Sequence, residues 1–166
     1  AVRLREESKT GTTDEAFAQQ MSKGTVAPVP KKANEQHYEL SPKFFDLVLG
    51  VRRKYSCCLF REETMNLDQA EEEALEETCR SAGIEDGMDI LELGCGWGSL
   101  TLWMAERFPG SRILAVSNSA SQRQFVLDRA GESGFSNVKV VTADMNGFAT
   151  ERSFDRVVSI EMFEHM

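Results

Sequence analysis

From residue 84 onward the chain alternates short apolar runs with amphipathic segments. Residues 88–93 read as a strand, and 100–108 as a helix stopped by Pro109 and Gly110. A second strand is predicted over 112–117 and a second helix over 121–130. Third and fourth strands follow at 138–142 and 154–160. Strand and helix in strict turn are the mark of a parallel sheet covered by helices, with right-handed crossovers. The expected fold class is an open α/β sheet.

Upstream the pattern differs. Ser41, with Pro42 at the first helical position, opens a helix over 41–49, whose stripe is Phe44, Phe45, Val48 and Leu49; Gly50 ends it. Leu67, Ala70, Ala74, Leu75, Thr78 and Ala82 recur at intervals of three and four, which predicts an amphipathic helix closed by Gly83. The acids of that segment, Glu71–Glu73 with Glu76 and Glu77, read as its solvated face. Nearer the start, a short helix over 14–22 with Asp14 as N-cap precedes a proline-bearing linker over 25–32. Three regions result: an extension and linker over 1–36, a helical region over 37–83, and an α/β domain from 84 to 166.

The 166 residues carry 27 acidic and 19 basic side chains, a formal charge of −8. That balance argues against a nucleic-acid partner, whose phosphates are held by clustered Lys and Arg. Apolar stretches fall far short of the roughly 18–20 residues a membrane span needs, and residues 1–30 lack the apolar core of a secretory signal. Cys57, Cys58, Cys79 and Cys95 have neither zinc-knuckle spacing nor disulfide-scaffold density, so reduced thiols, no metal and a cytoplasmic setting are expected.

Candidate chemistry concentrates in Glu92-Leu93-Gly94-Cys95-Gly96-Trp97-Gly98-Ser99, where the first strand gives way to a helix. Open α/β sheets bind ligands at this edge. Gly94, Gly96 and Gly98 let the backbone turn sharply and approach a ligand, and the helix N-terminus offers free N–H groups to a ligand carboxylate. The spacing is E-x-G-x-G-x-G, with Ser at 99 in place of the third glycine of a dinucleotide fingerprint, and no Gly-Lys-Ser or Gly-Lys-Thr of a phosphate loop occurs. A mononucleoside lacking a pyrophosphate fits best.

With His37-Tyr38-Glu39, Lys54-Tyr55-Ser56-Cys57-Cys58, Ser117-Asn118-Ser119 with Gln122, Asp144, and Ser159-Ile160-Glu161-Met162-Phe163-Glu164-His165-Met166, this loop resembles the S-adenosylmethionine-dependent methyltransferases. Among these it is most similar to the branch of cyclopropane-fatty-acid synthases and coclaurine-type N-methyltransferases, from about Asn34 to Met166. The resemblance implies a Rossmann-like class I methyltransferase sheet with an N-terminal helical lid. It also implies three further strands in the complete domain, so that the chain would hold the first half of that domain, with strands ordered 3-2-1-4 and strand four left as an exposed edge. S-adenosylmethionine is the implied cofactor. Its methionine end would meet Tyr38, Tyr55, Ser56 and the loop from Glu92 to Gly98, and Ile160 would also line the site. Asn118 and Gln122 would take the ribose, departing from the acid usual at 118, while Asp144 would read the adenine amino group with Met145 on the ring.

Methyl transfer from a sulfonium needs the acceptor placed in line and stripped of water, and an amine must arrive neutral. Glu161, Glu164 and His165 follow strand four, and if that turn is helical, Glu161 and His165 share a face. In the cyclopropane enzymes the matching segment resembles Ser-Ile-Gly-x-Phe-Glu-His, with the acid matching Glu164 helping to hold a bicarbonate. The extra acid at 161 resembles the amine methyltransferases, in which Glu161 and His165 would bind and deprotonate the amine. The expected acceptor is thus a small-molecule amine. A lipid chain is the alternative, and a cofactor-binding domain without turnover is a third reading.

Overall fold

The computed structural model describes residues 13–27 and 42–163. Its first helix, α1 (Asp14–Met21), is capped by Thr13, whose Oγ1 accepts the Ala16 N–H at 3.2 Å. Asp14 is therefore the first helical residue and not the cap. With Glu15 it still lies in the first turn, at the positive end of the helix dipole. Ala27 is tied to the body of the protein by two hydrogen bonds: its N–H donates to Asn146 Oδ1 at 2.9 Å, and its carbonyl accepts from Asn146 Nδ2 at 3.0 Å. Most of the expected linker, residues 28–32, lies outside the described residues.

Helix α2 (Pro42–Val48) buries one side chain of its expected stripe. Phe45 is 1% exposed, set between Trp97 at 5.5 Å and Tyr55 at 5.3 Å between ring centroids, while Phe44 and Val48 are exposed. Seven residues make two turns, and a helix lying on the rim of a domain inserts a single aromatic anchor.

Helix α3 (Leu67–Ser81) starts in a capping box, Asn66 Oδ1 accepting from the Gln69 N–H and Gln69 Oε1 from the Asn66 N–H. It ends at Gly83 with φ +60°, where the Ile84 N–H donates to the Cys79 carbonyl. Ala70, Ala74, Leu75 and Cys79 face the core. Most of the acidic run is on the wet side, with Glu72 paired to Arg52, and Glu73 and Glu77 to Arg61. Glu71 is the exception and corrects the sequence reading. It is 0% exposed, and its carboxylate accepts N–H bonds from Gly50 at 2.9 Å, Arg52 at 2.8 Å and Lys54 at 3.0 Å. Such a carboxylate can be buried because main-chain donors replace its water.

The sheet is wholly parallel, as the alternation predicts, and runs in the order β3-β2-β1-β4 that the resemblance implies. Its strands are β1 (Asp89–Leu93), β2 (Arg112–Ser117), β3 (Val138–Thr142) and β4 (Arg156–Ser159). Helices α4 (Ser99–Arg107) and α5 (Ala120–Glu132) make the crossovers. On one face Ile90, Ile113 and Val158 pack under Leu75, Leu100, Trp103 and Met104, and Ala115 and Val140 pack under Val126. On the other, Leu91, Leu114 and Val116 are covered by Met145, Phe148 and Phe154 from the segment between β3 and β4. Among the described residues no helix is long and apolar enough to cross a membrane. All four cysteines are free, and burial pushes the Cys79 thiol up to about 12.

Candidate functional site

All four strands point their carboxyl ends to one edge, and most of the residues singled out by sequence meet there. Directly after β1 the backbone turns on three glycines in the left-handed region: Gly94 at φ +78°, Gly96 at +53° and Gly98 at +81°. The Gly94 and Cys95 N–H groups both donate to the Val116 carbonyl, which hooks the loop over the end of β2.

The three glycines serve different ends. A Cβ on Gly94 would stand 2.6 Å from Met162 Sδ, and one on Gly98 would stand 2.6 Å from Val126 Cγ2, so these two glycines admit neighbouring parts of the chain. A Cβ on Gly96 would meet nothing within 4 Å. The open side of the loop is therefore at Gly96. Gly98 also caps α4 without a side-chain acceptor, leaving first-turn N–H groups available.

Glu92 lies behind the loop, 4% exposed, with its carboxylate accepting from the Thr101 hydroxyl. Burial pushes its carboxyl up to about 7, with the Thr101 bond opposing that shift. It braces β1 against α4.

At the end of β2, Asn118 is exposed and Gln122 is buried. Ser117 Oγ donates to Gln122 Oε1 at 2.7 Å, and the amide nitrogen of Gln122 is buried with no hydrogen-bond partner. A buried donor without a partner is costly, and a ligand acceptor would relieve it. Past β3, Asp144 Oδ1 accepts the Asn146 N–H at 2.8 Å and so closes its own turn, while Met145 packs on the apolar face of the sheet.

Residues 54–57 run alongside this edge. The Tyr55 ring meets Phe45 edge-on, and Ser56 Oγ accepts from Lys54 Nζ. The Cys57 N–H donates to Glu161 Oε1 at 3.1 Å. Glu161 itself has φ +50°, which an L side chain rarely adopts. The condition for Glu161 and His165 to share a helical face is therefore not met at Glu161: the chain leaves β4 through Ile160 in a left-handed turn that lays Met162 against Gly94. Ser159 Oγ, beneath this turn, is buried without a hydrogen-bond partner. Tyr38, Glu164 and His165 lie outside the described residues.

Sequence reasoning missed Glu71, Lys54 and the Cys57 N–H. Only Glu71 left a signal: it falls four residues after Leu67 and four before Leu75, on the apolar stripe.

An open glycine turn, a buried amide donor and an exposed Asn118 at one sheet edge fit a nucleoside carrying a carboxylate at its far end. A family profile described as mycolic acid cyclopropane synthetase matches residues 28–166. The (S)-coclaurine N-methyltransferase of Thalictrum flavum subsp. glaucum is 38% identical over 141 residues, covering 85% of this chain and 39% of that protein. The crystal structure of coclaurine N-methyltransferase bound to N-methylheliamine and SAH superposes with a TM-score of 0.84 at 34% identity, covering 87% of this chain and 42% of that one. A mycolic acid cyclopropane synthase complexed with SAH and CTAB gives a TM-score of 0.72 at 31% identity, over 82% of this chain and 47% of that one. The chain thus spans about two fifths of the length of the curated relatives it matches.

Proposed function

The chain belongs to the mycolic acid cyclopropane synthetase family, and we propose that within it the protein is an S-adenosylmethionine-dependent methyltransferase acting on an amine nitrogen of a small molecule. The observation that carries the choice of acceptor is Glu161, a carboxylate held by the Cys57 N–H at the ligand edge, where the cyclopropane enzymes' matching segment resembles one with glycine. Greater likeness to the amine methyltransferase than to the cyclopropane synthase supports the same choice.

Bound S-adenosylmethionine supplies a methyl group already activated on a sulfonium. The protein's part is placement and proton handling. Gly96 leaves room for the cofactor's amino-acid end beside the first-turn N–H groups of α4. Gln122 offers its free amide donor, with Asn118, to the ribose, and Asp144 and Met145 take the adenine side. Tyr55 and Ser56, with Tyr38, cover the methionine end. Glu161, with Glu164 and His165 just beyond, binds the ammonium form of the acceptor and takes its proton, so that a lone pair faces the methyl. Glu92 supports this arrangement from behind the loop.

Cofactor choice gives the first test. With Ser at 99 and Asn at 118, S-adenosylmethionine raises the melting temperature by an amount that grows with the logarithm of its concentration above Kd, while NAD at the same concentration leaves it unchanged. Equal shifts from both ligands would refute the assignment.

A further inference from the structure

We infer that Glu71 and Lys54 are positioning residues for Glu161, acting through the main chain of residues 50–59. The inference rests on the reading of Glu161 as the group that receives the acceptor's proton. This segment is fastened to α3 at both ends. At its start, Glu71 gathers the N–H groups of Gly50, Arg52 and Lys54, and Asp68 Oδ1 takes that of Val51 at 2.8 Å. At its end, the Leu59 N–H donates to the Ala70 carbonyl at 3.1 Å. Between the two ties, Cys57 presents its N–H to Glu161, 104 residues away in sequence.

The start of the segment is built around the carboxylate. A Cβ on Gly50 would stand 2.6 Å from both Asp68 Oδ1 and Glu71 Oε2, so only glycine lets the two acids approach. Arg53 takes φ +51° and donates its N–H back to the Gly50 carbonyl at 3.0 Å. Turning the chain this way points alternate N–H groups, those of 50, 52 and 54, at one anion, as in a main-chain anion nest. The nest is filled from within by Glu71. Lys54, itself buried, then carries the order forward: its Nζ donates to Ser56 Oγ and, at 2.7 Å, to the Cys57 carbonyl. The Cys57 carbonyl and the side chain of Ser56 before it are thereby held while the Cys57 N–H reaches Glu161. A residue at positive φ, such as Glu161, needs such support from its surroundings.

The test is a double-substitution cycle in the full-length protein. Glu71→Gln keeps one acceptor oxygen but sets an N–H donor against the Arg52 N–H. It lowers kcat for the amine about 10- to 100-fold, as expected when a reacting group is displaced by a fraction of an ångström, and leaves the cofactor Kd within twofold. Combined with Glu161→Gln it adds no further loss, because the effect travels through Glu161. Losses that multiply, or a loss confined to KM or cofactor Kd, would overturn the inference. Should Glu71→Gln fail to fold, Lys54→Met enters the cycle with the same expected and contrary results. A second readout is independent of turnover. Glu161→Gln displaces the Cys57 amide resonance in the otherwise native protein but not alongside Glu71→Gln. An equal displacement in both backgrounds would contradict the inference even if no amine is methylated, and its loss alongside Glu71→Gln would uphold the positioning role even then.

Discussion

Glu161→Gln in the full-length protein cuts the turnover of an amine acceptor by about 10²–10⁴-fold, the usual cost of losing a general base, and leaves cofactor affinity nearly intact. The substitution keeps the size of the side chain and an oxygen for the Cys57 N–H, so the left-handed turn at 161 persists and only the charge is lost. For an amine whose solution pKa lies above neutral, binding the free base at pH 7 costs about 1.4 kcal/mol per pKa unit. A carboxylate beside the nitrogen offsets that cost by holding the ammonium and then accepting its proton. As the pH rises toward the amine's own pKa, more acceptor arrives already neutral and the deficit shrinks. Initial rates across a pH series measure both effects. A silent Glu161→Gln on every amine tried, with Glu164→Gln alone stopping product formation on lipid, would mean that the acceptor is not an amine.

Gly96→Val weakens S-adenosylmethionine binding by about 100-fold or more. The branched side chain projects into the open side of the loop, where nothing of the protein stands within 4 Å. There it displaces the cofactor's carboxylate from main-chain donors, each such charged hydrogen bond contributing about 1.5–3 kcal/mol. Two lost bonds give at least the stated factor. The φ of +53° adds strain of order 1–3 kcal/mol, which lowers the melting temperature but leaves the sheet in place, because the core beneath is untouched. Calorimetry on the folded variant decides: undiminished affinity would remove Gly96 from the cofactor site.

The sheet was legible because each strand is a short apolar run bounded by a glycine, a proline or a helix signal, and β2 and β3 fall at the predicted residues. Alternation of strand and helix makes the sheet parallel, while its strand order follows from the resemblance and not from the alternation. The glycine loop was legible as a site, yet its three glycines looked equivalent. Their division of labour depends on Met162 and Val126, which reach the loop from other elements. Read as one run, the acids of α3 put Glu71 on the wet face, where it does not lie. Helical position separates it from Glu72 and Glu73, since one residue is a rotation of about 100°. The turn at 161 carries no local signal at all: a glutamate at positive φ is imposed by the packing of Met162 on Gly94 and the bond from Cys57, both distant in sequence.

The central claim is most directly tested by following the methyl hydrogens. The full-length protein is supplied with S-adenosylmethionine carrying a trideuterated methyl group, a panel of small amines and unsaturated phospholipids, and the products are weighed by mass spectrometry. N-methylation exchanges a proton on nitrogen for the whole methyl group, so the account predicts an amine product that retains all three deuterons. Closing a cyclopropane ring removes one hydrogen from the transferred carbon, so a lipid product retaining two deuterons, with no labelled amine, would contradict it.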